Sequence, residues 1–118
     1  FIDSLDGFPG VYSAYVFHTI GCKGILKLMQ NINGEKRSAT FKSVYAYGEP
    51  GKKPMLFLGE CNGSISLEEK GINGFGYDPI FIPKNCDKTF AEMSIDEKNK
   101  LSHRGKSLDK LLDFFKNL

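Results

Sequence analysis

Residues 37–65, RSATFKSVYAYGEPGKKPMLFLGECNGSI, decide the fold. The first part alternates with a period of two. Ala39, Phe41, Tyr45 and Tyr47 fall on one side and Thr40 and Lys42 on the other, as in a strand with one covered face. GEPGKKP is a turn cluster of residues that either fix φ or free it. Alternation resumes from Met55 to Ile65, so 37–65 reads as one long antiparallel hairpin. Gly59 and Gly63 in the second arm predict a bulge or a close backbone approach.

On the N-terminal side the pattern is helical. Pro9 suits a first helical turn, where its missing N–H costs nothing. Val11, Tyr12, Tyr15, Val16 and Ile20 then share one side of a helix that Gly21 ends. A second short helix, from about Ile25 to Asn31, turns Ile25, Leu28 and Met29 inward and stops at NING. The opening, FIDSLDGFPG, starts as though mid-strand before a Gly/Pro turn, which predicts further sequence upstream of Phe1. Beyond the hairpin, GINGFGYDP reads as a glycine-rich loop and IFIP as a short strand. Ser94-Ile95-Asp96-Glu97 has capping-box spacing and predicts a helix that includes Lys98. A last helix carries Leu108, Leu111, Leu112, Phe115 and Leu118 along one apolar stripe. With no repeat and no linker, residues 1–118 form one α/β domain whose longest element is the hairpin.

Composition narrows the function classes. The chain has 118 residues, 41% hydrophobic and 25% charged, as in an ordinary soluble protein. Sixteen basic against 14 acidic residues leave a net charge of +2, too balanced for wholesale nucleic-acid or membrane binding. No apolar run reaches the length of a membrane span. Cys22, Cys61 and Cys86 are few, odd in number and far apart, which suits free thiols in a reducing compartment and favours a cytoplasmic location.

Two stretches carry chemistry. In GFGYDPIF (74–81), Gly74 and Gly76 permit sharp turning or close approach to a ligand, and Phe75 and Tyr77 can offer ring faces to a flat heterocycle. Asp78 can accept hydrogen bonds or orient a cation. Taken alone, this stretch reads better as a turn whose rings fall back into the core. In EKNKLSHRGKS (97–107), Lys98 lies on one helix and Ser102-His103-Arg104 at the start of the next. Lys98 and Arg104 are donor-only side chains, and free N–H groups at a helix start suit anions and keto oxygens. Taken alone, this is a solvated basic face with Ser102 as a plain cap. Their co-occurrence points to an acceptor-rich, flat ligand such as a purine nucleotide. His18 reads as structural. No Walker A sequence and no nucleophile elbow are present.

FPGVYSAY, RSATF, GFGYDPIF, TFAEMS and EKNKLSHRGKS closely resemble, in order and spacing, the Ham1-like inosine triphosphate pyrophosphatases. The resemblance covers essentially the whole chain. Ser107, where the family usually has Ala, and Tyr77, where some members have Trp, are small departures. The resemblance implies an elongated mixed β-sheet with a cleft between two lobes, usually homodimeric. It also implies hydrolysis of ITP, dITP and XTP to the monophosphate and pyrophosphate with Mg²⁺. It assigns Phe75, Gly76, Tyr77 and Asp78 to the base and sugar pocket, Lys98 to the phosphates, and His103 and Arg104 to the purine edge. The family's acidic metal ligands and proposed base belong to a segment expected before Phe1, so no catalytic residue is assigned within this chain and the chain alone is expected to be inactive. The competing reading is a non-catalytic domain that binds single-stranded nucleic acid or nucleotide, with Phe75 and Tyr77 as stacking platforms and Lys98, Lys100, Arg104, Lys106 and Lys110 on phosphates.

Overall fold

A computed structural model describes residues 1–117. The hairpin is built from β1 (Ser38–Tyr47) and β2 (Met55–Ile65), paired in continuous antiparallel register from Ser38–Ser64 to Tyr47–Met55. A tight turn closes it. Lys52 N–H donates to Glu49 O, Pro50 takes the second position, and Gly51 the third with φ +78°, a left-handed conformation that glycine adopts without strain. The ladder contains no bulge. Gly59 and Gly63 serve close approach instead, since a Cβ on either would collide with a neighbouring carbonyl.

The short strand β3 (Phe81–Pro83) pairs with β2 over Gly63–Ile65, giving a three-stranded sheet in the order β1-β2-β3. All described strand pairs are antiparallel, so the parallel pairing of a mixed sheet is not seen among the described residues. Ile2 adds an isolated antiparallel bridge to Ala39 on the outer side of β1. The molecule is elongated, 50 × 28 × 25 Å, as the length of the hairpin dictates.

Helices α1 (Ser13–Thr19) and α2 (Gly21–Leu28) are divided at Ile20–Gly21, as the glycine predicts. Their covered faces are narrower than the apolar spacing suggests. Val16, Ile25 and Met29 are buried, whereas Val11, Tyr12, Tyr15, Ile20 and Leu28 are exposed. The core lies between these helices, the base of the hairpin and β3. Phe81 and Phe90 are at its centre, with ring centroids 5.4 Å apart.

Helix α3 (Ile95–Leu101) opens with the predicted capping box, in which Glu97 N–H donates to Ser94 Oγ and Ser94 N–H donates to Glu97 Oε1. Helix α4 (His103–Lys116) follows after Ser102 alone and lies along the hairpin. Its distal end packs through Phe114, 5.4 Å from Phe57 and 5.9 Å from Tyr47, and through Phe115, 5.1 Å from Tyr47. Of the expected stripe, Leu111 is half-buried, Leu108, Leu112 and Phe115 stay exposed, and Leu118 lies outside the described residues. The ammonium groups of Lys106 and Lys110 donate to the carbonyls of Glu60 and Leu58, at 2.9 and 2.7 Å, on the stretch of β2 that β3 does not reach. No helix among the described residues is long and apolar enough to cross a membrane.

Candidate functional site

Seven residues singled out from the sequence, Phe75, Gly76, Tyr77, Asp78, Lys98, His103 and Arg104, line one cleft of about 770 Å³. The inner end of β1 and the start of α1 complete its walls. The folding reason begins with loop 66–77, which is stitched to the segment 89–93. Asn73 N–H donates to Ala91 O, Asn73 Nδ2 to Met93 O, and Thr89 Oγ1 to Lys70 O. These bonds carry GFGYD to the start of α3, so that residues distant in sequence meet.

Asp78 is the hub of the loop. It is buried, and its Oδ2 accepts both the Phe75 N–H at 3.0 Å and the Lys98 ammonium. Gly74, with φ +75°, must lack a side chain because a Cβ there would strike the same oxygen. Lys98 therefore faces the cleft already partnered, with its ammonium 4.5 Å from the centre of the Phe75 ring.

The two aromatic rings have different situations. Phe75 is 58% exposed, and the Arg104 guanidinium lies 4.6 Å from its ring centre. Such a cation–π contact holds a cation in place without using its N–H groups. Among the described residues Arg104 makes no hydrogen bond or ion pair, so its donors are free for a ligand. Tyr77 is half-buried, set edge-on to Phe17 at 5.3 Å, with its hydroxyl donating to Ser13 O at 2.7 Å. Burial pushes that phenol up to about 12, so it remains a donor. Phe75 is the more exposed ring, with Lys98 and Arg104 packed on it, while Tyr77 ties the loop to α1.

His103 stacks on Phe41, with centroids 4.8 Å apart and planes at 21°. Burial, with Arg104 and Lys98 adding to it, lowers its pKa from 6.5 to about 4. The ring is neutral near pH 7. Its Nδ1 is buried and has no hydrogen-bond partner among the described residues. A buried N–H without an acceptor costs more than a buried lone pair without a donor. With Nδ1 unpartnered, the tautomer with its proton on Nε2 costs less, and His103 then has its donor at Nε2.

The lowered pKa has a measurable consequence. The unfolded chain binds the proton more readily than the folded one between pH 6.5 and about 4. Stability from this group is complete above pH 6.5 and declines as pH falls, by at most about 1.4 kcal/mol per unit. A ring titration followed by NMR should show a midpoint near 4. A midpoint at its ordinary value of 6.5 would show that the ring is neither desolvated nor pressed by its cationic neighbours.

Asp78 is the only acid lining the cleft among the described residues, against the cations Lys42, Lys98 and Arg104. That balance suits an acceptor-rich ligand. It does not suit a broad phosphate-binding surface, because Lys106 and Lys110 are engaged by β2 and Lys98 by Asp78. No group of three or more His, Cys, Asp or Glu side chains suited to a metal occurs among the described residues. Cys22 and Cys61 are buried and Cys86 is half-buried, all as free thiols. Burial raises the Cys22 thiol to about 11, and its Sγ lies 3.5 Å from Gly76 O, so it supports the loop as a weak donor.

Several cleft residues escape the sequence reading. His18, which reads as structural from the sequence, lines the cleft and is exposed. Phe41, under His103, reads only as a core residue. Ser43 carried a signal, being the one polar residue at an inward position of β1, directly opposite Gly59.

Known proteins resemble this chain over nearly its whole length. The dITP/XTP pyrophosphatase of Methanopyrus kandleri is 55% identical over 117 residues, covering 99% of this chain and 61% of the relative. That of Pyrococcus horikoshii is 57% identical over 116 residues, covering 98% and 61%. The chain spans about three-fifths of the length of the curated relatives it matches. Among solved structures, a HAM1 protein from Coxiella burnetii superposes with a TM-score of 0.89 at 33% identity, covering 99% of this chain and 63% of that one. The Staphylococcus aureus Ham1 protein gives 0.88 at 32%, covering 98% and 62%. A sequence model of the Ham1 family matches residues 1–114, and this chain, with its loop and its two helix starts gathered on one cleft, belongs to that family.

Proposed function

We propose that this chain forms the base-reading part of a pyrophosphatase for non-canonical purine nucleoside triphosphates (ITP, dITP and XTP), releasing the monophosphate and pyrophosphate. The observation that carries the reading is the donor pair at the start of α4. His103 is held neutral, and Arg104, with no hydrogen bond or ion pair among the described residues, lies over the exposed Phe75 ring. A 6-keto oxygen accepts from either residue, whereas the 6-amino group of adenine would set a donor against a donor. Sites built on such bonds reject the wrong partner strongly because it leaves buried groups unpaired. The names of the relatives support this reading.

Within it, Phe75 and Gly76 form the base platform and Tyr77 anchors the loop. Asp78 sets the loop's shape and holds Lys98 beside the phosphates. The resemblance adds Mg²⁺. Asp78 is already taken by Lys98 and the Phe75 N–H, and the described residues offer no metal cluster. The described residues do not make a cation site. For the homodimer that the resemblance implies, Val44, Leu56 and Leu58 on the uncovered hairpin face supply apolar surface suited to a contact. Sedimentation equilibrium reads that state directly. A cytoplasmic location agrees with three free thiols.

Calorimetry with the full chain tests the base reading. Inosine monophosphate should bind about 10–100-fold more tightly than adenosine monophosphate, the equivalent of one hydrogen bond to a charged donor. Arg104→Ala should bring the two close to parity. Equal affinity of the unaltered protein for both would overturn the assignment. Lys98→Ala should weaken ITP more than inosine monophosphate, with a deficit that shrinks as salt rises.

A further inference from the structure

His103 and Arg104 both sit in the first turn of α4, so whatever fixes that turn against the sheet fixes the two donors. The contact is made at one cross-strand pair, Ser43 and Gly59. Ser43 Oγ donates to His103 O at 2.9 Å. The hydroxyls of Ser43 and Ser107 lie 2.7 Å apart, and Ser107 Oγ is 3.1 Å from Arg104 O. Each hydroxyl has one proton and a carbonyl only accepts, so Ser43 donates to His103 O and Ser107 donates either to Arg104 O or to Ser43 Oγ. Opposite them, Gly59 lets the turn touch β2 directly, because a Cβ there would collide with His103 O.

Packing alone does not require this arrangement. Ser107 is fully buried, and an alanine would pack there with no polar atom to satisfy. The hydroxyl pair adds direction, since the bond from Ser43 to His103 O and the Ser43–Ser107 contact tie two points of α4 to β1. We infer that Ser43 and Ser107 are positioning residues, which hold the His103–Arg104 pair at the angle that reads a keto purine. This rests on the proposed function above.

The test uses the full chain with Ser43→Ala, Ser107→Ala and the double variant. Calorimetry gives the ratio of inosine to adenosine monophosphate affinity. NMR of the His103 ring reports its stacking on Phe41, and a thermal melt reports stability. Ser43→Ala should lower the affinity ratio about three- to tenfold, the equivalent of one neutral hydrogen bond, and should move the ring resonances of His103. Ser107→Ala should do less. The double variant should be little worse than Ser43→Ala, because coupled groups are not additive. Gly59→Ala pushes the turn away with both hydroxyls present and should give a similar loss. If it fails to fold, the serine variants, each short of one oxygen, still decide. A lower melting temperature with the ratio and ring resonances unchanged would overturn the inference, leaving these serines merely structural. If the unaltered protein shows no base preference, the functional reading falls. The positioning role then stands if the His103 resonances move in Ser43→Ala and falls if they do not.

Discussion

Arg37→Met should cost the protein about 3–5 kcal/mol, the scale on which losing one side of a buried charge interaction is felt. Arg37 is 6% exposed and pairs with no carboxylate among the described residues. Its guanidinium instead donates to four backbone carbonyls: Met29 at 2.9 Å, Ile32 at 2.7 Å, Ile65 at 2.8 Å and Ser66 at 2.7 Å. Met29 and Ile32 belong to the end of α2 and the turn beyond it. Ile65 and Ser66 belong to the end of β2. One planar fork thus joins a helix terminus, whose carbonyls carry partial negative charge, to the base of the hairpin. Methionine fills much of the volume but leaves those carbonyls without donors. Arg37→Lys should recover only part of the loss, since a single ammonium cannot span four acceptors. Urea denaturation followed by circular dichroism measures both. A loss below about 1 kcal/mol for Arg37→Met would mean that water serves the carbonyls as well as the guanidinium does.

The second large effect belongs to Asp78. Asp78→Ala removes the anion under Lys98, whose side chain is 17% exposed, and the acceptor of the Phe75 N–H. The expected cost is about 3–5 kcal/mol, again that of stranding a buried charge. Asp78→Asn keeps the shape and can keep the bond to Phe75 while removing the charge, so it should fall between Ala and the native residue. The ligand arms should move in opposite directions. With the loop loosened, Phe75 no longer holds Arg104, and preference for inosine over adenosine monophosphate should drop. Lys98, relieved of its counter-charge, should strengthen the salt-dependent part of ITP binding. Equilibrium unfolding and calorimetry at two salt concentrations separate these effects. Stability of Asp78→Asn within about 0.5 kcal/mol of native would show the ion pair to be dispensable.

The hairpin is legible in the sequence because its alternation survives along both arms and GEPGKKP has only one use. The observed β2 has the bounds that alternation gives, Met55–Ile65. The capping box at Ser94 and the break at Gly21 are equally local, and equally visible. The covered side of α1 is not. Val11, Tyr12 and Tyr15 have helical spacing, but spacing does not reveal whether another element lies opposite, and here they face solvent. Site residues divide in the same way. The sequence marks Phe75, Lys98, His103 and Arg104 through their chemistry. It does not show that Asp78 spends its charge on Lys98, that Tyr77 is turned toward Phe17, or that the neutrality of His103 depends on burial beside Phe41. Those are facts of juxtaposition, fixed by loop 66–77 and segment 89–93 closing on each other.

The two lysines of α4 that reach across to β2 have a consequence for self-association. A strand edge with bare carbonyls is a template on which another chain can add a strand. On the part of β2 beyond β3, Leu58 and Glu60 present such carbonyls, and Lys110 and Lys106 occupy them from the helix above. The helix that carries His103 and Arg104 is therefore also the guard of the sheet's open margin. Whenever α4 lifts, the His103–Arg104 pair leaves the cleft and a growth point for intermolecular β-structure is uncovered in the same event.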